Sequence, residues 1–89
     1  MIERELTIAN RLGLHARATA RLVQLLSGYR CEATLSARGR QVNAKSIMGL
    51  MLLAAGHGSN VVLRVEGEDE AAAADAVQAL FERRFDEDA

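Results

Sequence analysis

Between Cys31 and Ala37 the chain alternates without interruption: Cys31, Ala33, Leu35 and Ala37 are apolar, and Glu32, Thr34 and Ser36 between them are polar or charged. A strand with that period buries one face and wets the other, so it requires a sheet covered on one side only. Arg38-Gly39 supplies a turn, and Arg40 to Asn43 returns with Val42 inward, completing a hairpin. Ile2, Leu6 and Ile8 share one parity over residues 2–8, with Arg4 breaking the pattern, and Val61, Leu63 and Val65 share one between Asn60 and Glu66. Both segments read as further half-buried strands. The period changes to 3.6 elsewhere. Thr19, Leu22, Val23 and Leu26 predict a helix over about 16–27, with Gly28 as its stop. Ser46 is placed to cap a short helix carrying Leu50 and Leu53, which Gly56 and Gly58 end. After a turn at Gly67 and a cap at Asp69, residues 70–84 form an alanine-rich helix whose stripe is Val77, Leu80, Phe81 and Phe85. Residues 86–89 are expected to fray. The order is β-α-β-β-α-β-α, an α+β chain with helices on one face of an antiparallel sheet. Periodicity alone fits a ferredoxin-like topology.

At 89 residues and 49% hydrophobic content the chain supports one domain, residues 1–89, with one core. No run is long enough for a membrane span, and Glu3, Arg4 and Glu5 stand where a secretion signal needs an apolar segment; the expected compartment is the cytoplasm. Cys31 is the sole cysteine, which excludes an internal disulfide, and His57 has no second ligand at metal spacing. Neither a metal nor another cofactor is expected. With aromatics at 3%, stacking platforms for single-stranded nucleic acid are missing. Charge is unevenly spread. Residues 11–64 carry eight cations against Glu32, a net +7, and residues 65–89 carry nine acids against Arg83 and Arg84, a net −7. The basic part suits an acidic or phosphorylated partner.

Chemistry concentrates at Gly13-Leu14-His15-Ala16-Arg17, where a glycine turns the chain and a helix starts at a histidine. A helix N-terminus offers unpaired N–H groups and positive potential to an anion. A neutral imidazole is a competent nucleophile toward a phosphoryl group, and Arg17 adds a planar fork of donors. The plain alternative is a surface histidine that begins a helix. Ser46 has an equally plain role as N-cap, and a second one as a phosphorylation site, where about two negative charges would act on partners rather than on folding. Ile47, Met48 and Met51 follow it, and part of that set is free to form an exposed docking patch. Three function classes remain open on these residues: a phosphocarrier, a regulatory module switched at Ser46 with His15 idle, and a small acyl phosphatase-like enzyme.

The His15 segment, together with Val42-Asn43-Ala44-Lys45-Ser46-Ile47-Met48-Gly49-Leu50-Met51, resembles the HPr family, histidine-containing phosphocarriers of the phosphoenolpyruvate-dependent phosphotransferase system. The resemblance runs from about residue 2 to residue 84. It implies an open-faced β-sandwich: a four-stranded antiparallel sheet of order 1-4-2-3 covered on one face by three helices. It implies that His15 accepts a phosphoryl group on Nδ1 from Enzyme I and passes it to an Enzyme IIA domain, assisted by Arg17. Ser46 matches the serine modified by HPr kinase/phosphorylase. Ala16, Arg17, Ala20, Ile47, Met48 and Met51 match the docking surface, and Arg21 belongs to the basic surface beside it. Such a carrier is a stoichiometric intermediate, expected to be a monomer, rather than an independent catalyst. Ala18 stands where many members have proline. The acidic end Phe85-Asp86-Glu87-Asp88 is similar to the nitrogen-related branch, and the Ser46 segment to the sugar branch.

Overall fold

The computed structural model describes residues 1–87. Its strands are β1 (Ile2–Thr7), β2 (Glu32–Ala37), β3 (Arg40–Asn43) and β4 (Asn60–Glu66), and its helices are α1 (Ala16–Leu26), α2 (Ile47–Leu53) and α3 (Glu70–Glu82). They form one four-stranded sheet of order β1-β4-β2-β3 in which every pairing is antiparallel. This is the open-faced arrangement of the HPr resemblance, and it replaces the ferredoxin-like topology that periodicity alone allowed.

Register explains why only one face is covered. Leu63 of β4 lies opposite Arg4 on one side and Leu35 on the other, and Leu35 lies opposite Val42, so one row crosses all four strands. Leu6, Ala33, Leu35, Val61, Leu63 and Val65 supply the sheet's share of the core, joined by Leu22 and Leu26 of α1, Leu50 and Leu53 of α2, and Val77, Leu80 and Phe81 of α3. Arg4, the residue that broke the pattern in β1, points to this covered side. Its guanidinium meets Asp75 at 2.7 Å and the Gln78 amide oxygen at 3.0 Å on α3, so a half-buried side chain reaches the helix with its charge paired. At the β2–β3 turn Arg38 (φ 51°) and Gly39 (φ 79°) are both left-handed, as a two-residue hairpin turn of the right twist demands.

Several local expectations are corrected. Strand β1 ends at Thr7, before Ile8. Helix α1 ends just before Gly28 as expected, with Ser27 still right-handed and the Gly28 and Tyr29 N–H groups bonding the Leu25 and Leu26 carbonyls. Asp69 precedes α3 without capping it, because its carboxylate accepts the Arg30 N–H at 2.7 Å. Helix α3 ends at Glu82, and Phe85 is buried by a different route: Arg84, Phe85 and Asp86 are all left-handed, turning the chain so that the Phe85 ring packs 4.8 Å from that of Phe81. Asp86 and Glu87, of the end expected to fray, make defined contacts: Arg83 pairs with Asp86 at 2.8 Å, and Glu87 accepts the Asn10 amide at 3.0 Å. The other two residues of the expected frayed end, Asp88 and Ala89, lie outside the described residues.

Candidate functional site

The loop before α1 is fixed by backbone. Gly13 is left-handed (φ +67°), and a Cβ there would lie 2.7 Å from both the Ala55 carbonyl oxygen and the Gly56 Cα. Only glycine meets both conditions without displacing the neighbouring loop. The next residue uses the same anchor: Leu14 is buried, and its N–H donates to the Ala55 carbonyl at 3.0 Å. His15 therefore leaves a pinned loop and becomes the N-cap of α1 in extended conformation, its carbonyl accepting the Thr19 N–H at 2.9 Å.

The imidazole does not cap the helix. Ala16 and Arg17, the first two helical residues, have no acceptor for their backbone N–H groups among the described residues. That is the open, electropositive helix end expected from the sequence. His15, Ala16 and Arg17 line a shallow cleft with Arg11, Leu12 and Glu87, about 500 Å³ in volume. Arg17 is exposed and makes no hydrogen bond or ion pair among the described residues, so its fork is available beside the ring. Arg21 is half-buried and turned toward the Phe85 carbonyl, which differs from the partner-facing surface expected of it.

Glu87 is the residue that sequence reasoning missed. One carboxylate oxygen lies 2.5 Å from His15 Nε2, and the other accepts the Asn10 amide at 3.0 Å. Burial in the cleft works against ionisation of this carboxyl. The hydrogen bonds from Asn10 and His15, with the positive charge of Arg17, outweigh it and hold the group below the ordinary glutamate range. Nothing in the local sequence signals the contact, because three successive left-handed non-glycine residues bring Glu87 there.

Ser46 sits at the start of α2, and its Oγ accepts the Gly49 N–H at 3.0 Å. Leu50 and Leu53 face the core, while Ile47, Met48, Met51 and Leu52 are exposed at 44, 74, 47 and 64%. Leu12, on the His15 loop, is also exposed, at 67%. Ala16 and Ala20 are exposed on α1, which packs against α2. The carbonyls at the far end of α2 are held by hairpin arginines, Arg40 on Leu52 and Arg38 on Leu53. Among the described residues there is no cluster of metal-ligating groups, and no helix is long and apolar enough to cross a membrane.

A family model described as "PTS HPr component phosphorylation site" matches residues 2–83. A phosphocarrier protein HPr of Xylella fastidiosa (strain Temecula1) is 59% identical over 99% of both chains. A phosphocarrier protein NPr of Shewanella violacea is 42% identical over 97% of this chain and 94% of its own. Among solved structures, a crystal structure of HPr from Thermoanaerobacter tengcongensis superposes with a TM-score of 0.96 at 40% identity, covering 100% of each chain.

Proposed function

The chain belongs to the HPr family of phosphocarriers of the phosphotransferase system, and from that membership we propose that His15 takes a phosphoryl group from phospho-Enzyme I and delivers it to an Enzyme IIA domain in the cytoplasm. The observation that carries the reading is a histidine at an uncapped helix start with Arg17 beside it. The Nδ1 lone pair forms the new N–P bond as the donor's bond to phosphorus breaks, its electrons leaving with Enzyme I. The phosphoryl oxygens then have the Ala16 and Arg17 N–H groups and the Arg17 guanidinium as donors. Onward transfer reverses these roles. Ile47, Met48 and Met51, with the exposed Ala16, Arg17 and Ala20 of α1, form the face on which either partner docks.

Ser46 is proposed as the regulatory site for an HPr kinase/phosphorylase. A phosphate on its Oγ keeps an acceptor at the start of α2 and places about two negative charges beside Met48. The His15 loop is anchored at Ala55, just past the other end of α2, one seven-residue helix or roughly 10 Å away. The modification would act on docking rather than on the imidazole. The nitrogen-related branch is the second reading, favoured by the NPr relative and the acidic end; transfer to a nitrogen-type but not a sugar-type IIA would select it. The carrier reading is tested with labelled phosphoenolpyruvate and Enzyme I. Acid-labile, base-stable label is expected on the wild-type chain, and its survival in His15→Ala would refute the assignment.

A further inference from the structure

We propose that Glu87 is a positioning residue for the transfer reaction: with Asn10 behind it, its carboxylate keeps the imidazole proton on Nε2, so that Nδ1 presents its lone pair. The inference rests on the carrier reading above. It starts from a chain of contacts that returns to the loop it leaves. The Asn10 side-chain nitrogen donates to the Gly13 carbonyl at 2.8 Å and to Glu87 at 3.0 Å, and Glu87 lies 2.5 Å from His15 Nε2. Asn10 is fully buried, and its Oδ1 has no partner among the described residues. A buried acceptor left unmatched is unfavourable. The two donor contacts are what the amide provides in return. The carboxylate is 10% exposed and the imidazole 26%, so the contact is shielded on the acid side and open on the ring side.

A carboxylate accepts and does not donate, so a neutral ring facing Glu87 through Nε2 carries its proton there. Orientation of a ring through its second nitrogen is how supporting groups act on histidines in metal sites and hydrolytic triads. Loading forms the Nδ1–P bond from the free lone pair, and the ring, still carrying Nε2–H, becomes positively charged against the carboxylate. Unloading breaks that bond and returns the electron pair to Nδ1. No proton enters or leaves the ring in either half, so no outside acid or base is needed. Glu87 is held at this spot by Phe85 in the core and by the Arg21 contact to the Phe85 carbonyl. Arg17 and Arg11 are the other charged side chains lining the cleft.

The test uses the whole chain with Glu87→Gln and Glu87→Ala, each checked for an unchanged fold by circular dichroism. With nitrogen-labelled histidine, the wild type should show a proton bonded to His15 Nε2 and protected from solvent exchange, and Glu87→Ala should lose that protection. A wild-type proton on Nδ1, or equal protection in Glu87→Ala, overturns the proposal. In transfer from phospho-Enzyme I, Glu87→Gln should lower kcat about tenfold with KM for the carrier unchanged, since the docking face is untouched. An unchanged kcat, or a loss confined to KM, also overturns it. A wild-type chain that takes no phosphoryl group refutes the carrier reading and the transfer role with it; the ring-proton measurement separates that result from a failure of the Glu87 contact itself.

Discussion

Helices α1 and α2 both begin from an extended residue, and they treat their exposed amides in opposite ways. At α2 the Ser46 hydroxyl accepts the Gly49 N–H, so the helix start is closed by its own side chain. At α1 the N-cap is His15, which closes nothing and spends its Nε2 on Glu87. Serine at an N-cap is worth about 1 kcal/mol, a gain that α1 forgoes. The difference separates a terminus built for stability, where a modification would alter charge, from a terminus left open for an anion. Rigidity at the open end comes from outside the helix, through Gly13 and Leu14 on the 55–56 loop.

The largest expected effect comes from breaking that outside support. Gly13→Ala forces a left-handed alanine and a Cβ at 2.7 Å from neighbouring backbone, and should cost about 3 kcal/mol. A thermal melt would register it as a fall in Tm of roughly 10 °C or more, together with a slower loading of His15. A smaller effect is expected at the closed end. Ser46→Ala should remove about 1 kcal/mol in a denaturant titration and leave the loading rate of His15 unchanged. Ser46→Asp retains a capping oxygen, so its stability should stay within about 0.5 kcal/mol of wild type while loading by Enzyme I slows. If Ser46→Asp loads at the wild-type rate, charge at the α2 start does not regulate docking. The smallest effect is an acid one. The folded Glu87 carboxyl titrates below its ordinary value of 4.5, so its contribution is complete above that value and is lost as pH falls through the lower, folded one. A carbon-detected titration should find the His15 contact intact at about pH 5 and released only below 4.5; a midpoint above that value would contradict the assigned contacts.

What could be read in advance follows from how far apart in sequence the determinants lie. The β2–β3 hairpin, the Ser46 cap and the split between buried Leu50 and Leu53 and exposed Met48 are local, and periodicity with turn and cap chemistry is enough to find them. Sheet order is not local: the parities of Leu6 and Val61 say which face each presents but not that they pair. The match to family motifs supplied that order. The candidate site divides along the same line. His15 and Arg17 are adjacent in sequence and were legible, whereas Asn10 and Glu87 meet only after a left-handed turn at residues 84–86 that no propensity favours. Arg21 looked like surface charge for the related reason that its acceptor is a backbone carbonyl of that same turn.

The sheet order also sets a timetable. Ala37 and Arg40 are paired neighbours on either side of a two-residue turn, whereas Leu6 must find Val61 across most of the chain. Loop closure of that length is slow, while hairpins of this kind form in microseconds. The expected folding nucleus is thus the β2–β3 ribbon with β4 laid against it, and β1 arrives late, bringing the loop that ends in His15. In a chevron analysis, truncating Leu35 should slow refolding, and truncating Leu6 should mainly quicken unfolding; the reverse pattern would refute the order. A late β1 makes the His15 loop among the first parts to be lost when the sheet opens, so phosphoryl acceptance should fail before the hairpin does.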